Sequence, residues 1–119
     1  MAAKVKVFLD TSALFSAVHS ETGGARLILK LGEAGAIQVW VGPWVLKEAD
    51  GVLERKSPGS KGYFALLLDR SQVHVGPEAG DAALKTALEV TDYRPDAQLI
   101  AEALEVESDY FVSFDREHL

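Results

Sequence analysis

Short runs of β-forming residues alternate with longer helical patterns along this chain, and few folds accommodate that alternation. Val5-Lys6-Val7-Phe8-Leu9, Ile37-Gln38-Val39-Trp40-Val41, Gln72-Val73-His74-Val75 and Asp109-Tyr110-Phe111-Val112-Ser113-Phe114-Asp115 read as strands, rich in Val, Ile and aromatic residues. Helical patterns are predicted from Thr11 to about Ser20, from Ala25 to Gly35, from Pro43 to about Lys56, from Tyr63 to Arg70, from Ala79 to about Val90, and from Asp96 onward. Strands separated in this way form βαβ units, so an α/β fold with a helix-covered sheet is expected. A chain of 119 residues makes one domain, 1–119, able to bury about two-thirds of its unfolded surface.

Four acids stand at informative places in that pattern. Asp10 ends the first strand and is followed by Thr11 and Ser12. In a parallel sheet its position is the mouth of the crevice where open α/β folds bind ligands, although Asp10 or Ser12 could equally cap the next helix. Asp115 ends the last strand in the same way. On a helical wheel of the third helix, Trp44, Val45, Leu46, Ala49, Val52 and Leu53 form the buried arc, and Glu48 falls inside it. A carboxylate on a core-facing arc needs a cation or a hydrogen-bond donor, and Arg55 is one available partner. Asp96 opens a helix whose apolar arc is Ala97, Ile100, Ala103 and Leu104, with Gln98, Glu102 and Glu105 outside it. An acid there suits the positive helix end and can also be explained as a cap. In the second helix Leu27, Ile28, Leu31 and Ala34 form one apolar helical stripe, which Gly35 ends.

Composition narrows the chemistry. The formal net charge of -6 argues against a general nucleic-acid coat protein, since phosphate neutralisation by Lys and Arg supplies most non-specific affinity. It does not argue against an enzyme that presents a divalent cation to a phosphodiester. There is no cysteine, so thiolate catalysis and sulfur-bound zinc are excluded, and any metal must be held by oxygen or histidine. His74 is expected to face solvent, with no second histidine at ligand spacing. Lys61, in the loop Ser57-Pro58-Gly59-Ser60-Lys61-Gly62, is expected to face water. No apolar run is long enough to span a bilayer and no leader precedes Lys4, so a cytoplasmic protein with no membrane partner is expected.

Together, Val7-Phe8-Leu9-Asp10-Thr11-Ser12, Val45-Leu46-Lys47-Glu48, Pro95-Asp96-Ala97-Gln98 with Ala101, Ala103 and Leu104, and Asp109 to Asp115 resemble a PIN domain, the metal-dependent ribonuclease fold of many toxin-antitoxin toxins. The resemblance implies a three-layer α/β/α sandwich with a mainly parallel central sheet. It also implies that Asp10, Glu48, Asp96 and Asp115 gather around Mg2+ or Mn2+. Asp10 and Asp96 would hold the principal ion, and Glu48 and Asp115 a second ion or ordered waters, with Thr11, Ser12 and Ser113 as supporting donors. The implied activity is endoribonuclease hydrolysis of RNA by metal-activated water, with an antitoxin protein as partner. A catalytically inactive RNA- or protein-binding module is the alternative. A homodimer is expected, through exposed apolar residues along the helices that contain Phe15, Leu27, Phe64 and Leu67. The family normally adds a fifth strand after the last acid, so the final edge strand is expected to be missing or cut off before Leu119. A phosphotransfer receiver would begin with adjacent acids where this chain has only Leu9-Asp10, and a haloacid-dehalogenase-type phosphatase would carry an aspartate in place of Ser12.

Overall fold

Phe8 and Leu9 are wholly buried because strand β1, Lys6–Leu9, runs through the middle of the sheet with a parallel partner on each side. The computed structural model describes residues 4–114. Beside β1 lie β2 (Gln38–Val41) and β4 (Tyr110–Val112), and β3 (His74–Val75) pairs with β2, giving the order β3-β2-β1-β4. All pairings are parallel. Phe8 is opposite both Trp40 and Phe111, and Leu9 is opposite Val112. His74 is exposed and stacks on Trp40 with ring centroids 4.8 Å apart.

Helices α1 (Thr11–His19) and α2 (Gly24–Glu33) carry the chain from β1 to β2. From β2 to β3 it passes through α3 (Pro43–Lys56), a 3-10 turn (Pro58–Ser60) and α4 (Lys61–Arg70). It returns across the sheet to β4 through α5 (Asp81–Leu88) and α6 (Arg94–Glu105). The first two crossovers step one way along the sheet and the third steps back. With the right-handed connection that twisted strands impose, α1 to α4 cover one face and α5 and α6 the other. The predicted three-layer α/β/α sandwich is therefore the architecture observed. One main core joins Phe8, Leu9, Leu14, Leu29, Val39 and Leu53, and a smaller cluster of Ala87, Ala97 and Ala101 seals α5 to α6. No helix among the described residues is long and apolar enough to cross a membrane.

Helices α2 and α4 each leave part of their apolar surface outside the core. In α2 the buried residues are Ala25, Arg26, Leu29 and Gly32, whereas Leu27 and Leu31 are 59 % and 40 % exposed. The apolar stripe loses because α2 lies close against β2: a Cβ on Gly32 would come within 2.9 Å of Val39. Only a small residue fits there, and the helix turns its small-residue side inward. Arg26 is buried on that side and donates to the Ala17 carbonyl from both Nε and Nη2, at 2.9 and 2.6 Å. On α4, Phe64 and Leu67 face the core while Tyr63 and Leu66 are exposed.

Helix ends direct the chain back to the sheet. After α2, Gly35 takes a positive φ of 78°, and the bonds Gly35 N–H to Gly32 O and Ala36 N–H to Leu31 O, both 3.0 Å, form a Schellman motif. Glu107 does the same after α6, at φ 53°, and the chain enters β4 there. The strand's expected final acid, Asp115, lies outside the described residues.

Candidate functional site

At the carboxyl ends of β1 and β4 the sheet has its switch point, because these neighbouring strands connect to helices on opposite faces. Asp10 is the first residue beyond β1, and its amide donates to the Val112 carbonyl at 3.2 Å. This bond seats Asp10 beside the end of β4. Asp10 is also the N-cap of α1: Oδ1 accepts from the Ala13 amide at 2.9 Å and from Ser12 Oγ at 2.7 Å. Both readings of its position in the sequence are therefore realised in one side chain. Among the described residues Oδ2 accepts no hydrogen bond.

Ser12 ties the two strand ends together. Its hydroxyl accepts from the Phe114 amide at 2.9 Å and lies 3.5 Å from Ser113 Oγ. Thr11 reaches the other way and donates to Glu48 Oε1 at 3.0 Å. Glu48 is half-buried on α3, in the apolar arc as expected, and Thr11 rather than Arg55 supplies its hydrogen bond. Asp96 is half-buried in the first turn of α6, where Tyr93 is the N-cap. It is therefore inside the helix rather than its cap.

Asp10, Glu48 and Asp96 line one cleft of about 450 Å³, together with Thr11, Ser12 and Ser113. Its far wall is apolar, with Tyr93, Leu99, Ile100 and Phe111. No Lys, Arg or His is among the described residues that line it. Lys61 does not line it and instead bridges Glu54 at 2.8 Å and Asp50 at 3.1 Å on α3. Those two carboxylates raise its pKa. The side-chain donors that the described residues bring to the cleft are all oxygens, the set that a hard cation such as Mg2+ or Mn2+ takes. In kind, then, the residues fit such an ion. Among the described residues no three His, Cys, Asp or Glu side chains converge closely enough to hold one as they stand.

One residue that belongs to this region was misplaced by the sequence pattern. Glu102, expected on the solvent side of α6, is 2 % exposed. Its Oε1 and Oε2 accept from the Trp44 amide at 3.1 and 3.0 Å, at the start of α3. Burial raises its pKa above the ordinary carboxylate range. Hydrogen bonds from the Trp44 and Val45 amides oppose that rise, and the charges of Glu78 and Glu48 add to it. The wheel failed because α6 is packed on two sides. Ala97 and Ala101 meet α5, and the next face meets α3, so the helix has no wide solvent side. Leu104, expected in the buried arc, is 45 % exposed, because the faces that meet α5 and α3 lie elsewhere on the helix. A signal was present at the other end of the contact: Gly42-Pro43 opens α3 with no side-chain cap, so its free amides must find an acceptor elsewhere.

No family model matches the sequence, and no curated relative matches it. Among solved structures the chain is similar to VapC20 of Mycobacterium tuberculosis, described as a sarcin-ricin loop cleaving toxin. The TM-score is 0.61 at 19 % identity, over 92 % of this chain and 89 % of that one. The likeness is one of fold, and it establishes here the PIN-like α/β fold that the sequence motifs resemble.

Proposed function

We propose that this chain, with the fold of a PIN-domain toxin, is a Mg2+- or Mn2+-dependent endoribonuclease and the toxin of a toxin-antitoxin pair. One observation carries the reading: three carboxylates from separate elements, Asp10 after β1, Glu48 on α3 and Asp96 on α6, line one cleft at the switch point of the sheet. Three oxygen-bearing acids brought to one cleft from separate elements are the set a divalent cation would use, and each costs solvation to enclose.

Asp10 and Asp96 would hold the principal ion through carboxylate oxygens, with Glu48 and, from its place in the sequence, Asp115 supporting a second ion or the ordered waters. A divalent ion so bound lowers the pKa of water and stabilises charge on phosphoryl oxygens. The protein's own part is orientation. Ser12 and the Ala13 amide fix Oδ1 of Asp10, and Thr11 fixes Glu48. Ser12 and Ser113 join the ends of β1 and β4 below the cleft. No protein nucleophile is needed. RNA is the substrate class, a small antitoxin protein the partner, and a homodimer the assembly, through the exposed Leu27, Leu31, Tyr63 and Leu66 of α2 and α4. The expected cytoplasmic location follows from such a substrate.

The deciding assay is cleavage of heterogeneous single-stranded RNA with Mg2+ or Mn2+, repeated in excess chelator. Cleavage that stops on chelation supports the reading, and undiminished cleavage overturns it. The looseness of the acids among the described residues favours a second reading, a binding module that retains RNA without cutting it. Retention with intact RNA in the same assay would identify it. Light scattering over a concentration series tests the dimer.

A further inference from the structure

Glu102 is a buried carboxylate that the proposed chemistry does not use, and it joins the two helices that carry Glu48 and Asp96. At the start of α3 the N-cap is Gly42, with no side-chain hydrogen bond, and Pro43 follows. The orphan amide of Trp44 is met by both oxygens of Glu102, from α6. The fit is shaped as well as charged, because a Cβ on Gly42 would overlap the Glu102 carboxylate and its Cβ. Gly42 is thus the notch that admits this side chain, and a carboxylate at a helix N-terminus is favoured by the helix dipole.

The contact has leverage over the cleft. Glu48 is one turn beyond Trp44, about 6 Å along the axis, and Asp96 precedes Glu102 by about 9 Å along α6. The two acids sit on helices from opposite layers of the sandwich, which meet beyond the carboxyl end of β2. How far one helix slides along the other decides how far apart Glu48 and Asp96 stand. We propose that Glu102 is a positioning residue for the candidate site: by gripping the first turn of α3 in the Gly42 notch, it sets where Glu48 stands relative to Asp96. The reaction it serves rests on the ribonuclease reading. A role in stability alone is a poor account of it, since a buried acid near Glu48 and Glu78 costs free energy that a neutral residue would not.

The test uses the full chain and a readout of geometry that needs no activity. The sequence has no cysteine, so Lys47→Cys on α3 and Arg94→Cys on α6, both exposed positions, accept a spin-label pair cleanly. In this labelled background Glu102→Leu and Gly42→Ala are expected to broaden or shift the α3–α6 distance distribution, whereas Glu102→Gln, which keeps an acceptor, holds it. In the unlabelled chain, Glu102→Leu and Gly42→Ala should lower kcat on an RNA oligonucleotide about 10- to 100-fold, with little change in KM. Glu102→Gln should retain most of the rate. Leu67→Ala, a core change on α4 far from this contact, controls for lost stability, with all variants compared at a temperature where circular dichroism shows them folded. An unchanged distance distribution in Glu102→Leu overturns the proposal, as does a fall in kcat no larger than that of Leu67→Ala. If the wild-type chain cuts no RNA, the ribonuclease reading fails, and the distance distributions alone decide whether Glu102 positions α3.

Discussion

Helices α1 and α3 both follow a strand directly and both bring an acid to the cleft, yet their first turns are held in opposite ways. The first turn of α1 is capped from within, by Asp10, three residues from the amide it accepts. That of α3 is capped by Glu102, 58 residues away on another helix. A local cap ties the acid to its own strand end, so Asp10 cannot move unless β1 moves. A remote cap makes the placement of Glu48 depend on how two layers of the fold dock. The first arrangement is robust, and the second is adjustable.

The largest expected effect separates the two jobs of Asp10. Asp10→Asn keeps an oxygen for the cap but removes the charge, so RNA cleavage should fall on the order of 1000-fold, equivalent to about 4 kcal/mol, while the metal-free melting temperature does not fall. Cleavage kinetics beside thermal melting check this, and an Asn variant as active as wild type would leave Asp10 as a cap alone.

Next in size is Gly42→Ala. The new methyl group occupies the space of the Glu102 carboxylate, and overpacking of this kind costs about 1–3 kcal/mol, measurable by denaturant unfolding. Asp10→Ala, which deletes the local cap, should cost about 1 kcal/mol in the same assay. The remote cap is thus predicted to be the more sensitive of the two.

A smaller effect is expected in the pH dependence. Because burial raises the pKa of Glu102 in the folded chain, the native state holds that proton more tightly than the unfolded state does. The resulting stability is fully present below about pH 4, under the unfolded value, and is lost as pH rises through the raised folded value. Comparing wild type with Glu102→Gln should therefore show the Gln variant gaining relative stability as pH rises above the ordinary glutamate value of about 4. A constant difference would mean that the burial cost of this carboxylate is fully offset. Smallest of all is Lys61→Met. Its ion pairs with Asp50 and Glu54 are solvent-exposed, and such pairs contribute little, so the melting temperature should not change measurably.

Much of the fold was legible because it depends on local periodicity. The four strands and six α-helices of the described residues, and the α/β class, follow from alternation of apolar patterns, and Gly35 and Pro43 mark helix boundaries by their own backbone preferences. The places of Asp10 at a strand end and of Glu48 on a buried arc were legible for the same reason. The alternative explanation of Asp96 as a cap did not hold, because the helix has already begun at Arg94, with Pro95 at its second position and Tyr93 as its N-cap.

What the sequence by itself determined, then, is the order of elements and which acids stand at their ends, since each such fact is settled within about one turn or one strand of chain. Only the tertiary structure decided which side of a helix is inside when neighbours press on more than one face. It turned the small side of α2 toward β2 through Gly32, exposed Leu27, and drew Glu102 into the core. The physical reason is that a wheel records the polarity of one helix, whereas burial is set by the sum of its neighbours. An unpaired helix end such as that of α3 can be satisfied by any acceptor the fold brings within about 3 Å, and sequence distance says nothing about which one that is.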